Sequence, residues 1–333
     1  MKFLKILGII LLVLIIVYLM GPKPAHPNLT LDLPTVPANP TALEQFIAAE
    51  ESHHRIKPDN EARIIWYNDS AKTKTEYAIV YLHGFSASQE EGDPVHINLA
   101  QEFGCNLYLS RLAEHGIDTT EELVSFTAEK LWNSCKRALM IGEQLGRKVI
   151  LMSTSTGGTM ALKLAAEFPD QIAALILLSP NIEINDSKAW LLNNPWGLQI
   201  AHLVKGRYNT AGDSSEIYKK YWNYKYRVEA LVQLEEMLER TMKESTFRKI
   251  HQPVLLLFYY KDEEHQDPVV KVSAMKRMFT QLSTPDSLKR EIAIPNAGDH
   301  VIGSYIKSKD FESVQKECER FALEVLHLNF ATH

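Results

Sequence analysis

Short apolar runs alternate with stretches of helical periodicity through most of the chain. Residues 62–67, 78–82, 106–110, 148–152, 173–178, 254–260 and 291–295 read as strands. Residues 94–103, 121–145, 156–167 and 310–328 read as helices, and Thr41 is placed to cap an earlier one running through Ala49. Wholly apolar strands that alternate with helices predict an α/β fold with a mostly parallel central sheet, covered on both faces. The alternation fails between 183 and 249, where no strand-like run occurs. Leu231, Leu234, Leu238 and Met242 mark an amphipathic helix there. Ahead of it lie Trp190, Trp196, Tyr208, Tyr218, Tyr221, Trp222, Tyr224 and Tyr226, and the region reads as an inserted helical cap. A helical bundle that only closes the sheet edge is the competing reading.

The amino terminus has a different pattern. Lys2 and Lys5 precede an apolar run from Ile6 to Met20 of roughly 15 to 18 residues, near the lower limit for a membrane span. The small residues of a signal cleavage site are missing after it, so an uncleaved signal anchor is favoured over a cleaved signal peptide. The lysines then predict a cytoplasmic amino terminus and a catalytic domain on the extracytoplasmic side, periplasmic or extracellular. Pro22, Pro24, Pro27, Pro34, Pro37 and Pro40 make residues 21–40 a semi-rigid spacer. The organisation expected is therefore 1–20 anchor or signal, 21–40 spacer, 41–182 first part of the core, 183–249 cap and 250–333 second part of the core.

Composition narrows the function classes. The chain has 333 residues, 45% of them hydrophobic, and a formal net charge of -5 with no long basic run, so nucleic acid is not an expected partner. Cys105, Cys135 and Cys318 show no metal-type spacing and read as buried apolar residues.

Three segments at strand ends carry chemistry. Ser153-Thr154-Ser155-Thr156-Gly157-Gly158 joins a strand to a helix. This junction and its small flanking residues suit a nucleophile elbow centred on Ser155, with Ser153 where the usual pattern has glycine. A Ser/Thr-rich cap on an ordinary strand-to-helix loop is the alternative. His83-Gly84-Phe85 follows an earlier strand. Its Phe85 amide, with that of Thr156, would form an oxyanion hole, and His83 is expected to brace the loop rather than ionise. His300, in Asn296-Ala297-Gly298-Asp299-His300, follows the last strand and is placed to act as general base. For the acid, counting from the strand gives Asp262. Counting back from the next helix, which Ser273 would cap, gives Asp267, and the run Asp267-Pro268-Val269-Val270 favours the latter.

In this order the motifs resemble the α/β-hydrolase superfamily over residues 60–328. The nearest likeness is to its capped lipase and esterase branch, with monoacylglycerol-lipase-like and serine-aminopeptidase-like members. H-G-F, R-L-A-E-H-G (111–116), S-T-S-T-G-G and G-D-H carry the resemblance. It implies a Ser155–Asp267–His300 triad, no metal or organic cofactor, and a small-molecule or lipid ester as substrate. A peptidase or thioesterase with the same triad, and a non-catalytic binding protein on the same fold, are the alternatives.

Overall fold

A computed structural model describes residues 2–331. Helix α1 (Lys2–Leu19) leads through the proline-rich segment to α2 (Pro40–Glu51). The core then runs β1 (Arg63–Ile65), β2 (Thr75–Leu82), α3 (Val95–Glu102), β3 (Asn106–Leu109), α4 (Ala128–Leu145), β4 (Gly146–Thr154), α5 (Thr156–Glu167) and β5 (Ala174–Leu178). The cap holds α6 (Gly197–Lys205), β6 (Tyr208–Thr210), α7 (Glu216–Tyr221), β7 (Lys225–Arg227), α8 (Glu229–Thr241) and α9 (Glu244–Phe247). The core resumes with β8 (Val254–Phe258), α10 (Val272–Gln281), β9 (Lys289–Ala293) and α11 (Phe311–Glu324).

Seven strands form one sheet in the order β1-β3-β2-β4-β5-β8-β9, parallel except for β1. Side chains alternate between its faces. On β4, Val149 and Leu151 join the core beneath α4, α5 and α8, whereas Ile150 and Met152 join the core beneath α3 and α11. Both faces are buried, which is why the central strands are apolar without alternation.

Several boundaries differ from the sequence expectation. Asn39, not Thr41, caps α2, its side chain accepting the Ala42 N–H at 3.0 Å. Helix α4 begins only after Thr127, whose hydroxyl accepts the Lys130 N–H at 3.1 Å. Upstream of that cap, Glu121 and Glu122 bind Arg227 and Lys57 instead of extending the helix. Ser273 lies inside α10, whose cap position is Lys271. The region 183–249 contains a two-stranded antiparallel ribbon, β6 with β7, in which Tyr208 pairs Arg227. Strands of three residues are too short to show periodicity.

The amino-terminal expectations also change. Apolar side chains of α1, from Phe3 to Leu19, are exposed on all sides of the helix. Among the described residues, however, no helix is long and apolar enough to cross a membrane. The stretch after Lys5 covers about 21 Å of helix, against a hydrocarbon core of about 30 Å. The proline-rich segment does not stand off as a spacer. The Trp132 indole donates to Thr30 O at 2.7 Å, Lys136 Nζ donates to Asp32 O at 2.8 Å, and His26 contacts Glu236 of α8 at 2.8 Å.

Candidate active site

Ser155 sits between β4 and α5 with φ 53° and ψ -118°, a backbone state that non-glycine residues avoid. Four hydrogen bonds hold it there. Its N–H donates to Leu178 O at 3.0 Å, and its carbonyl accepts the amides of Gly158 (2.9 Å), Thr159 (3.3 Å) and Asn181 (2.9 Å). Such strain, of order 1–3 kcal/mol, persists only where the surroundings over-determine it. Gly157 shows how tight the turn is. A Cβ at that position would lie 1.9 Å from Leu82 O. Ser153 is tolerated in place of glycine because its side chain is accommodated at the sheet, its hydroxyl pointing to Ile176 O at 3.4 Å.

The residues expected to form the oxyanion loop follow β2. His83 is fully buried, and burial, with His115 and Arg111 adding, pushes its pKa well below the usual histidine range. The neutral ring bridges two backbone groups. Nδ1–H donates to Gly84 O at 2.8 Å, and Nε2 accepts the Leu112 N–H at 3.0 Å. Among the described residues, the Phe85 and Thr156 amides donate to no protein acceptor. Phe85 itself packs edge-on against His115, Phe126 and Tyr226.

The two acid-loop aspartates lie in opposite environments. Asp262 is exposed and closes a local turn, accepting from the amides of Glu264 and His265 and contacting the His265 ring at 2.8 Å. Asp267 is 1% exposed. Its Oδ1 accepts the Val269 and Val270 amides at 2.8 and 3.0 Å, and its Oδ2 meets His300 Nδ1 at 2.7 Å. With Nδ1 donating to Asp267, Nε2 of His300 is the free base. It is buried and, among the described residues, unpartnered, so no hydrogen bond joins it to Ser155 in this structure. Burial alone would lower the His300 pKa. The Asp267 charge and hydrogen bond, with Glu91 and Asp299 adding, outweigh burial and raise it.

Ser155, Thr156, Phe85 and His300 open into one cavity of about 420 Å³ roofed by the cap. Its apolar lining includes Ile184, Tyr226, Leu231, Leu234 and Val269, and its polar lining includes Glu91, Asp213, Asp299 and Lys307. Lys307 contacts Asp213 at 3.3 Å and Asp299 at 3.4 Å. Of the eight cap aromatics noted in the sequence, Tyr218, Trp222 and Tyr226 reach the cavity. Trp190 is exposed, Tyr221 donates to Asp59, and Trp196 donates to Val17 O near the end of α1. Among the described residues, no group of three His, Cys, Asp or Glu side chains is arranged to hold a metal ion.

Glu91 was not legible as a site residue. It stands in the run Gln89-Glu90-Glu91, to which no role is assigned from the sequence, yet it is 2% exposed and lines the cavity. The one hint in the sequence is its position shortly after H-G-F.

A family model described as serine aminopeptidase, S33, matches residues 134–289. No curated protein matches the chain. Among solved structures, a metagenome-derived lipolytic enzyme described with LipS and LipT superposes with a TM-score of 0.63 at 17% identity, covering 80% of this chain and 98% of that one. Paleococcus ferrophilus monoacylglycerol lipase gives 0.58 at 16% identity, over 79% and 98%. A soluble variant of Saccharomyces cerevisiae monoglyceride lipase gives 0.58 at 11% identity, over 92% and 99%. At such identities these likenesses show the fold alone, and the family match covers 156 of the 333 residues. The chain has the α/β-hydrolase fold, and its residues 134–289 are similar to the serine aminopeptidase, S33, family.

Proposed function

We propose that the protein hydrolyses carboxylic esters of lipid-like or medium-chain acyl groups through Ser155, His300 and Asp267. The observation that carries this reading is the buried 2.7 Å Asp267–His300 contact beside the strained Ser155 and the uncommitted Phe85 and Thr156 amides. His300 Nε2 takes the Ser155 proton as Oγ attacks the acyl carbon, and the carbonyl oxygen becomes an oxyanion held by the two amides. The acyl–oxygen bond to the alcohol then breaks, and the leaving oxygen receives the proton from His300. Water repeats the sequence on the acyl-enzyme, releasing the acid. Throughout, Asp267 orients the ring and supports the imidazolium. Labelling with a fluorophosphonate followed by peptide mass spectrometry tests the assignment. Modification at Ser155, absent in Ser155→Ala, is expected. Modification at Ser153, or none in folded protein, overturns it.

The name of the matching family favours one second reading, an amide-cleaving peptidase with the same triad. Turnover of aminoacyl amides in preference to p-nitrophenyl esters would establish it.

We also infer that α1 lodges in a membrane and that the catalytic domain is extracytoplasmic. The support is its exposed apolar circumference. A short apolar stretch is met by local bilayer thinning and by snorkelling of flanking side chains such as Lys5. The test is carbonate extraction of membranes, with protease treatment of intact spheroplasts. A carbonate-resistant chain whose domain is digested from outside is expected. A domain protected until lysis refutes the orientation, and a soluble mature form starting near Gly21 refutes the anchor.

A further inference from the structure

Glu91 is a buried carboxylate without a salt-bridge partner among the described residues, and it stands in the catalytic cavity. Its Oε2 accepts the Gly84 N–H at 2.5 Å. A Cβ built on Gly84 would lie 2.8 and 2.9 Å from the two Glu91 oxygens and 3.0 Å from Ser155 Cβ, so the carboxylate and the nucleophile are neighbours across that glycine. The titratable groups that face Glu91 are Tyr81 on β2, Tyr218 on α7, and Asp299 and His300 after β9. Burial holds both tyrosines neutral, and Asp299 is a like charge. The only cation among these groups is therefore His300 in its protonated state.

A buried charge without a partner is costly, and a glutamine would keep the Gly84 hydrogen bond without that cost. The charge is explained if its partner exists only during turnover. We propose that Glu91 is a positioning residue that pins the oxyanion loop through the Gly84 amide and, as a second carboxylate facing His300, stabilises the imidazolium formed when Ser155 gives up its proton. The Gly84 bond fixes the peptide that precedes the Phe85 amide, and with it the direction in which that amide points. The charge acts at the opposite end of the proton transfer. Burial, the largest effect, pushes the Glu91 pKa up to about 7, against the Gly84 bond, His300 and the Trp222 side chain, which lower it. The carboxylate therefore becomes fully charged only as the pH rises through neutrality.

This inference rests on the Ser155 mechanism, and two variants of the full chain separate its parts. Glu91→Gln keeps an acceptor for Gly84 without the charge, and Glu91→Ala keeps neither. Initial rates on p-nitrophenyl butyrate from pH 5 to 9 are normalised to fluorophosphonate-titrated sites. In Glu91→Ala, kcat is expected to fall at least tenfold with KM within about threefold. Glu91→Gln should restore most of that kcat at pH 6, while the acid limb of its kcat/KM moves to lower pH by at least half a unit. Melting temperature supplies the control. Removing a buried charge should leave Glu91→Gln more stable than wild type at pH 8, with the difference vanishing only as the pH falls below about 4.5. Wild-type kcat and an unmoved acid limb in both variants would overturn the proposal. So would equal losses in both variants that track a fall in melting temperature. If Glu91→Ala does not fold, the Glu91→Gln pH profile alone decides. A wild-type protein unlabelled at Ser155 removes the underlying mechanism instead, an outcome these variants do not mimic.

Discussion

The floor and the roof of the cavity are built by different means. The floor consists of strand ends: Ser155 after β4, the His83–Phe85 loop after β2, Asp267 after β8 and His300 after β9. There Ser155, His83 and Asp267 are buried and held by hydrogen bonds to backbone groups, and His300 is buried and held by the Asp267 carboxylate. The roof is the cap, where Leu231 and Leu234 of α8 and the aromatics Tyr218 and Tyr226 supply mainly apolar surface, while the Trp222 side chain also reaches Glu91. Geometry is thus held by the sheet, and the cap supplies shape and apolarity. Changes to the floor should alter the rate of chemistry, and changes to the roof should alter which acyl chain is preferred.

The largest expected effect is on the floor. Asp267→Asn should lower kcat by about 10³ to 10⁴, the scale set by neutralising a triad acid. The same change bears on pH dependence. A raised His300 pKa means that the imidazole is protonated, and idle as a base, below that value. The wild-type acid limb of kcat/KM should therefore lie above the ordinary 6.5 and move down in Asp267→Asn. Next comes the roof. Each methylene buried against it contributes at most about 0.8 kcal/mol, so kcat/KM should rise about tenfold to a hundredfold from acetyl to hexanoyl p-nitrophenyl esters. A flat or falling series would mean that the cavity does not hold the acyl chain. Leu231→Ala should shrink that gain by a few-fold while leaving acetyl-ester turnover nearly unchanged. A comparable loss on both esters would break the division between floor and roof. The smallest effect belongs to Asp262→Asn, which should change kcat less than about twofold, because Asp262 serves an exposed turn. A reversed ranking of the two aspartates would place the triad acid at the strand end.

The floor was the more legible half for the same physical reason. A nucleophile elbow constrains its own neighbours: glycine at 157 is demanded by the Leu82 carbonyl, and the apolar strand before Ser155 is demanded by burial on both faces. Asp267 could be preferred over Asp262 because the following Pro268-Val269-Val270 run leads into α10. What distinguishes them in the structure is the contact of Asp267 with His300, 33 residues away, which spacing alone does not contain. The roof is expected from the sequence to be an inserted, aromatic-rich region, but its β6–β7 ribbon and the choice of which aromatics face inward depend on tertiary contacts. Glu91 escaped because burial reverses the meaning of an acidic run, and nothing local announces burial.

The proline-rich segment bears on how the cap can move. Its Pro22 carbonyl accepts the Trp196 amide at the start of α6, His26 reaches Glu236 on α8, and Thr30 is held by Trp132 and Lys136 of α4 in the core. It is therefore a strap stitched to both the cap and the core. A cap swinging open must either break the Trp196 and His26 contacts or drag the strap against its anchorage on α4. Wide excursions are opposed mechanically, and small displacements that slacken the strap between residues 22 and 30 are the easy ones. Tension applied at the amino-terminal helix would pass first to Trp196, at the foot of the cap, before it reached the sheet.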